Sequence, residues 1–438
     1  MLPEIKTDIP GPYSRKIMSE LAQYESPAIT ARNLSRAQGG GIDCPIVWSK
    51  TFDVFVEDVD GNRFIDLTSG FGVASAGHAN PVIVKAGQQQ MAEMPHAMGD
   101  AFPGKNKVTL LKRLAQITPG NLQRTFLTNS GSEAVEAALK TAMMKTGKPG
   151  IIAFEDAYHG LSYGALAVTS YRERFREPFL SQLNSHIHRL PYPTENMTLE
   201  EFTQSLETTI RNFSIGAVII EPILGRGGIL EAPIELLQCL REVTQQHNVV
   251  LIVDEVYTGF GRTGTLFAIE HAKIVPDLLC LGKGMNAGFP ISAAIGTDEV
   301  MSGWGEAQGE ALHTSTFLGN PVGCAMVLAC IDVLESGLLN KVNEIGNYFK
   351  GQLIELKNDF LFINSIRGRG LMLGVEFENP EKNTALRLCK ALLQEGFIAL
   401  PCGLKGNILG LTPPLTIQKE HIDYLIKILK KLCQQYQS

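Results

Sequence analysis

The chain has 438 residues, of which 44% are hydrophobic and 19% are charged, as in ordinary soluble globular proteins. The length predicts two or three domains. The net charge of −6 gives no electrostatic reason to expect nucleic acid or a membrane surface as a partner. The eight cysteines form no C-x-x-C pair, which argues against a metal site and favours a reducing, cytoplasmic location.

From about residue 62 to about residue 305, short apolar runs alternate with amphipathic helical patterns. The predicted strands are RTFLTN, GIIAFED, IGAVIIEP, VVLIVDEV, LLCLG and SAAIGT. The predicted helices among them are SEAVEAALKTAMMKTG and PIELLQCLREVTQQHN. Fully apolar strands that alternate with such helices indicate an α/β domain whose mostly parallel sheet is covered on both faces.

The pattern changes after Pro321. A helix is predicted from Val322 to Ser336, then another helix, a strand pair in INSIRGRGLMLGVEFE and a last helix from about Lys419 to Tyr436. The uncharged stretch 311–331 is too polar for a lone membrane span. We therefore expect a large domain over 61–320, a smaller α+β domain over 321–438, and an N-terminal segment, 1–60, that packs with the smaller domain.

The turn in TNSGSEAVEAAL lies between a predicted strand and a helix N-terminus. It contains Ser130, Gly131 and Ser132. Ligands of open α/β sheets collect at the carboxyl ends of strands, and free N–H groups at a helix start bind phosphate. The same three residues would also serve as a plain helix cap, so both interpretations stay open here.

The apolar run VVLIVDEV ends in Asp254 and Glu255, which suggests either a structural carboxylate or the Mg²⁺ ligand of a nucleotide hydrolase. Such hydrolases also need G-x-x-x-x-G-K-[ST], and no such string occurs. G-x-G-x-x-G is likewise missing at any strand-to-helix turn, which weakens the hypothesis of a dinucleotide-dependent dehydrogenase.

Lys283 follows the run LLCLG and lies between two glycines. It could be a surface cation, a phosphate ligand or a nucleophile. A partly desolvated lysine can lose its proton and form a Schiff base with an aldehyde. A lysine for the imine, an acid for a pyridine nitrogen and a helix N-terminus for phosphate are together what pyridoxal 5'-phosphate (PLP) requires.

The chain resembles the class III PLP-dependent aminotransferases of the ornithine, 4-aminobutyrate and omega-amine type, which have fold type I. The matching segments appear in family order over nearly the whole chain. They include TNSGSEAVEAALK, YHG, IIEPILGRGG, LIVDEVYTGFGRTG, LGKGMNAGFP, STFLGNPVGCA, RGRGLMLGVE and LTPPLTI.

This resemblance implies a role for each matching residue. Lys283 would hold the cofactor and move the proton, and Asp254 would pair with the pyridine nitrogen. Tyr158 would stack on one face of the ring with His159 beside it, and Val256 would press on the other face.

The remaining cofactor roles concern the phosphate and the ring hydroxyl. Gly131 and Ser132, beside Ser130, would bind the phosphate, and Glu221 would lie near the hydroxyl. Thr316 would reach the phosphate of the other subunit's cofactor, which implies a homodimer with shared active sites.

The chain departs from the family pattern at positions that bear on substrate. Glutamate-using relatives have a Glu where this chain has Arg226, and an Arg where it has Gly410. Tyr257 replaces a common Gln, and Phe71 occupies a position that abuts the substrate in relatives. Arg226 could bind a carboxylate or lie on the surface, and Phe71 and Tyr257 could bind an apolar amine or simply pack.

The sequence therefore predicts an aminotransferase that moves an amino group from an amine or amino acid to a keto or aldehyde acceptor. It would work through a Lys283 Schiff base and pyridoxamine phosphate, and its substrate would be an omega-amine or a biosynthetic amino compound. A PLP-dependent racemase, aminomutase or decarboxylase would use the same residues and is the alternative. A binding protein of this fold would be expected to lack Lys283 or Asp254.

Overall fold

The computed structural model describes residues 1–29, 45–306, 309–378 and 383–437. They form two compact units, one of residues 1–80 with 340–438 and one of residues 81–339. The strands are β1 Trp48–Phe52, β2 Phe55–Asp58, β3 Arg63–Asp66, β4 Leu122–Thr128, β5 Gly150–Phe154, β6 Ile187–Leu190, β7 Ile215–Ile220, β8 Ile223–Leu224, β9 Leu230–Glu231, β10 Val250–Asp254, β11 Leu278–Leu281, β12 Ser292–Thr297, β13 Ile363–Arg369, β14 Met372–Phe377, β15 Phe397–Ile398, β16 Leu400–Cys402 and β17 Ile408–Leu411.

The α-helices are α1 Pro12–Tyr24, α2 Ser69–Gly72, α3 Pro81–Glu93, α4 Lys105–Ile117, α5 Gly131–Thr146, α6 Tyr163–Val168, α7 Leu199–Asn212, α8 Ile234–Gln246, α9 Asp298–Met301, α10 Pro321–Val333, α11 Leu339–Asp359, α12 Thr384–Gln394 and α13 Lys419–Gln437. The strands and helices predicted from the sequence are all found, within a few residues at their ends. The predicted α/β fold with a large, mostly parallel sheet and a smaller α+β unit is confirmed.

The larger unit is built on a seven-stranded sheet of order β4-β12-β11-β10-β7-β5-β6. Its pairs β10–β11, β10–β7, β5–β7 and β5–β6 are parallel, whereas β12 runs antiparallel to both β11 and β4. The strands β7, β10, β11 and β12 are buried along their whole length. This burial explains their continuous apolar sequences.

Helix α5 covers the centre of this sheet with small side chains. Ala134, Ala137 and Ala138 are fully buried against residues such as Ile252 and Ala294 of the sheet. Small residues allow the helix to approach the strands closely. This packing fixes the start of α5 beside the ends of β10 and β11, where the candidate site lies.

The smaller unit combines both ends of the chain. Its sheets have the orders β1-β2-β3-β15 and β13-β14-β17-β16. In the first sheet Ile65 pairs with Phe397, far away in the sequence. Residues 62–80, which the alternating pattern assigned to the large domain, thus belong to the smaller unit. The units change at 80/81 and 339/340, later in the chain than the expected 60/61 and 320/321.

The helical run Pro321–Asp359 is long and apolar enough to count as a candidate membrane span by length and composition alone. In α10, however, Val322, Cys324, Val327 and Ile331 are buried in the interior of the larger unit. A turn at Gly337, with φ of 117°, interrupts the run. Buried side chains and an interrupted axis are what a core helix of a folded domain shows.

Candidate active site

Asp254 and Lys283 lie together at the carboxyl edge of the larger unit's sheet. Asp254 ends β10, and its partner in the parallel β11 is Cys280, three residues before Lys283. Lys283 has φ of 40°, in the left-handed region that residues other than glycine rarely adopt. Such backbone strain is concentrated at functional sites, since the surrounding structure has to maintain it.

The amine of Lys283 is poised to lose its proton. Burial lowers the pKa of Lys283 to about 8, although the negative charges of Glu221 and Asp254 act in the opposite direction. Lys283 Nζ lies 3.9 Å from the ring centroid of Tyr257. A lysine in this environment is a nucleophile near neutral pH, unlike a solvated surface lysine.

Asp254 is buried and its two carboxylate oxygens have different partners. Oδ2 is 2.7 Å from His159 Nδ1, and Oδ1 accepts a hydrogen bond from the Val256 N–H at 3.0 Å. His159 Nε2 is buried and has no hydrogen-bond partner among the described residues. The Thr169 hydroxyl accepts from the His159 N–H and so fixes this residue's backbone.

The turn before α5 is close-packed around glycine. Ser130 caps the helix, because its hydroxyl accepts from the Glu133 N–H. A Cβ on Gly131 would lie 2.6 Å from Val256 Cγ1, and one on Gly282 would lie 3.6 Å from Gly131 Cα. Because Gly131 and Gly282 have no side chains, the start of α5, Val256 and the residue before Lys283 can pack against each other.

Ser132 faces a second loop at the same turn. Its hydroxyl lies 2.5 Å from the Ser162 hydroxyl and also accepts from the Ser162 N–H. The N–H groups of the first turn of an α-helix have no partner within the helix. The turn therefore offers the donors and the positive end of a helix dipole that an anion requires.

Glu221 is a buried carboxylate that joins two loops of the site. It accepts from the Tyr158 N–H at 2.8 Å and from the Gly225 N–H at 3.1 Å. Burial raises the pKa of Glu221, and the nearby charge of Asp254 adds to this effect. Tyr192 donates its hydroxyl to the backbone carbonyl of Glu221 and holds the strand end in place.

Arg226 lies among aromatic rings next to these loops. Its Cζ atom is 4.4 Å from the ring centroid of Tyr158, 4.8 Å from that of Tyr171 and 5.9 Å from that of Phe175. The sequence singled out Arg226 and Tyr158 but missed the other two rings. The alternating charges of the segment YRERFREPF are typical of a solvated helix face. It forms two short 3₁₀ helices in which Phe175 is half-buried and Phe179 is exposed, and Tyr171, just before them, is buried.

Two more residues, Thr316 and Phe71, were predicted to belong to the site. Thr316 is exposed in the larger unit, and its neighbour Ser315 accepts a hydrogen bond from Asn129. Phe71 is 63% exposed in the smaller unit with φ of 65°. Their roles toward cofactor and substrate stay predictions. Among the described residues, no group of three or more His, Cys, Asp or Glu side chains is placed to hold a metal ion.

Comparison with known proteins gives the same family at every level. Residues 38–433 match the family model described as aminotransferase class-III. The chain is 35% identical to a 4-aminobutyrate aminotransferase from Mycobacterium leprae, over 98% of this chain and 97% of the relative. It is also 31% identical to an alanine/serine racemase from Pyrococcus horikoshii, over 98% of this chain and 92% of the relative.

Solved structures agree with these sequence relatives. An (S)-enantioselective omega-transaminase from Thermomicrobium roseum superposes with a TM-score of 0.85 at 28% identity, with 97% of this chain and 98% of that chain covered. A transaminase from the marine bacterium Virgibacillus gives a TM-score of 0.88 at 25% identity, with 97% and 100% covered. Since the match in sequence and in fold extends over nearly the whole chain, this protein belongs to the class-III aminotransferase family, whose members depend on PLP.

Proposed function

We propose that this chain transfers an amino group from an omega-amine or a biosynthetic amino compound to a keto or aldehyde acceptor, with Lys283 as the residue that holds PLP. One observation carries the proposal. Lys283, with a pKa lowered to about 8, lies one strand from the buried Asp254 and packs through Gly282 against the turn at Gly131.

The residues of the site fit PLP in chemistry and in shape. The primary amine of Lys283 suits the aldehyde of this cofactor, and the buried carboxylate of Asp254 suits its ring nitrogen. The start of α5 suits its phosphate. The cradle at Gly131 supports the fit, because any Cβ there would collide with Val256. Ser130, Gly131 and Ser132 would hold the phosphate, and Tyr158 and Val256 would enclose the ring.

Lys283 would act as the acid and base of the reaction. Bound PLP supplies an electron sink that stabilises negative charge on the carbon next to the reacting nitrogen. Lys283 Nζ, once the donor amine has displaced it, would take the proton from that carbon and return it at the cofactor's carbonyl-derived carbon. With a pKa of about 8, roughly a tenth of Lys283 is neutral at pH 7.

Asp254 and His159 would orient and charge the ring nitrogen. The carboxylate of Asp254 favours a proton on a nitrogen placed against it, and a positive ring attracts electrons more strongly. His159 fixes one carboxylate oxygen and the Val256 N–H fixes the other. Glu221, held by two N–H donors, would lie near the ring hydroxyl.

A homodimer with shared sites is part of this proposal. Segments 95–102 and 311–320 of the larger unit pack on each other through a His96–Phe317 ring contact and an Asn320 hydrogen bond to the Pro95 carbonyl. They leave four large apolar side chains exposed, which are Met98, Phe102, Leu312 and Phe317. An exposed apolar patch of this kind supports a protein interface, and Thr316 lies inside it.

The substrate part of the proposal is supported by the relatives. The Mycobacterium leprae relative is named for 4-aminobutyrate, and the Thermomicrobium structure is named as an omega-transaminase. In 4-aminobutyrate the reacting nitrogen is at the end of the chain opposite the carboxylate. A cytoplasmic location is supported by the cysteines, all of which are free within the described residues.

A racemase is the second candidate, favoured by the relative from Pyrococcus horikoshii. A proton would be removed from the α-carbon and returned to it without loss of the amino group, with Lys283 and Asp254 in the roles described above. Such an enzyme needs no second substrate and forms no stoichiometric keto product.

A single-donor experiment separates the two reactions. Holoenzyme is mixed in turn with glutamate, alanine, ornithine, 4-aminobutyrate, an aryl alkylamine and an amino sugar, and the cofactor spectrum, the keto product and the enantiomer ratio are measured. A keto product equal in amount to the cofactor converted supports the transaminase. Inversion of alanine without any keto product contradicts it and supports the racemase.

A further inference from the structure

Arg226 is a half-buried cation that packs on aromatic rings and pairs with no anion in the described part of the chain. Among residues 1–29, 45–306, 309–378 and 383–437, no carboxylate lies within ion-pair distance of its guanidinium. Its contacts are instead the rings of Tyr158, Tyr171 and Phe175. A partly desolvated charge without a counter-ion costs free energy, so an anionic ligand at this position would be stabilised.

The aromatic contacts hold the guanidinium without using its hydrogen-bond donors. Arginine binds ring faces through its own planar face, and its five N–H groups point outward in the plane. Tyr171 is buried, and its ring is perpendicular to that of Tyr158 at a centroid distance of 6.3 Å. The two rings therefore fix the side chain and leave a fork suited to a bidentate carboxylate.

The loop that contains Arg226 is connected to the amine of Lys283 through the ring of Tyr257. A Cβ on Gly225 would lie 2.3 Å from Tyr257 Cδ1, and the Tyr257 ring contacts Lys283 Nζ at 3.9 Å. Gly225 also donates its N–H to Glu221. Burial lowers the pKa of Lys283, and the charge of Arg226 adds to the decrease. Arg226 thus lies close enough to Lys283 for its charge to act on the amine.

We propose that Arg226, fixed by Tyr158, Tyr171 and Phe175, binds the carboxylate of the substrate. The preferred substrates are then amino acids and their keto acids rather than amines without a carboxylate. This inference rests on the proposed aminotransferase function and specifies its substrate class. Since Tyr158 would also stack on the cofactor ring in the proposed function, one tyrosine would connect the carboxylate site to the cofactor site.

The test compares donors that differ only in the carboxylate. Holoenzyme is titrated with 4-aminobutyrate against butylamine and with alanine against ethylamine, and half-saturation of cofactor conversion is measured. Butyrate, which has the carboxylate and no amine, is titrated in parallel by calorimetry. The variants are Arg226→Gln and Arg226→Lys. Arg211→Gln, at an exposed arginine paired with Glu207, is the matched control.

We expect the wild type to half-saturate with 4-aminobutyrate at a concentration about 10- to 100-fold below that for butylamine, as a charged bidentate pair implies. Arg226→Gln should bring this ratio close to one and abolish butyrate binding; its effect on the pKa of Lys283 acts on both donors alike and does not alter the ratio. Arg226→Lys should give an intermediate ratio, and Arg211→Gln should leave it unchanged. An unchanged ratio and unchanged butyrate affinity in Arg226→Gln would overturn the proposal.

Two further readouts keep the test decisive. If Arg226→Gln does not fold, phenylglyoxal modification of Arg226 in wild-type holoenzyme is followed by peptide mass spectrometry. Protection by butyrate but not by butylamine supports the carboxylate site, and equal modification in both contradicts it. If no donor converts the cofactor, the proposed aminotransferase function fails, and butyrate binding still decides the role of Arg226.

Discussion

Lys283 is expected to react with small aldehydes at a much lower pH than an ordinary lysine. Its pKa is lowered to about 8 by burial. Only the neutral amine is a nucleophile, so the reaction rate is present in full above this pKa and is lost as the pH falls through it. Roughly a tenth of the plateau rate remains at pH 7, about 200-fold more than for a lysine with a pKa of about 10.4.

The measurement uses the cofactor-free protein and short pulses of formaldehyde with cyanoborohydride from about pH 6 to about pH 10, on either side of the expected midpoint. Peptide mass spectrometry quantifies methylation of Lys283, with Nα-acetyl-lysine in the same tube as the reference. The charge of Glu221 raises the pKa of Lys283, so Glu221→Gln should lower the pH midpoint of methylation. The charge of Arg226 lowers this pKa, so Arg226→Gln should raise the midpoint. A wild-type midpoint equal to that of Nα-acetyl-lysine would refute the reasoning.

Three further predictions concern the cradle, the ring partner and the patch. In Gly131→Ala the new Cβ would lie 2.6 Å from a valine methyl, so the variant should lower the free energy of unfolding by about 1–3 kcal/mol and weaken PLP binding. The control Gly351→Ala, which has open space around its Cβ, should do neither. Denaturant unfolding measures the first effect and cofactor titration the second. Asp254→Asn should retain PLP but slow cofactor conversion by roughly 10²- to 10³-fold in stopped-flow spectra, and a normal rate would exclude the charge pairing. Leu312→Glu should dissociate the dimer in analytical ultracentrifugation, whereas Leu361→Glu, which is also highly exposed, should not; two dimeric variants would contradict the proposed interface.

The sheet and the ends of its strands could be predicted because burial leaves a direct trace in the sequence. Strands covered on both faces are continuous apolar runs, and the first polar residue after each run lies at the carboxyl edge. Asp254 ends β10 and Lys283 follows β11 in this manner. Two runs that adjoin in a parallel sheet bring such residues together without any knowledge of side-chain packing.

The unit boundary and the aromatic contacts of Arg226 could not be predicted in the same way. Strand β3 carries no local sign that its partner is β15, because Ile65 and Phe397 are paired through tertiary packing alone. Tyr171 and Phe175 lie among charged residues, a pattern that is typical of a solvated segment. Only the fold shows that these rings turn toward Arg226.

Peptide mapping of reduced holoenzyme tests the proposed role of Lys283 most directly. Borohydride fixes PLP to whichever amine holds it, and proteolysis with mass spectrometry then locates the label. We predict that the label is found on Lys283 in the wild type and on no residue of Lys283→Ala, which should also yield no keto product. A label on another lysine, or keto product formed by Lys283→Ala at the wild-type rate, would contradict the assignment.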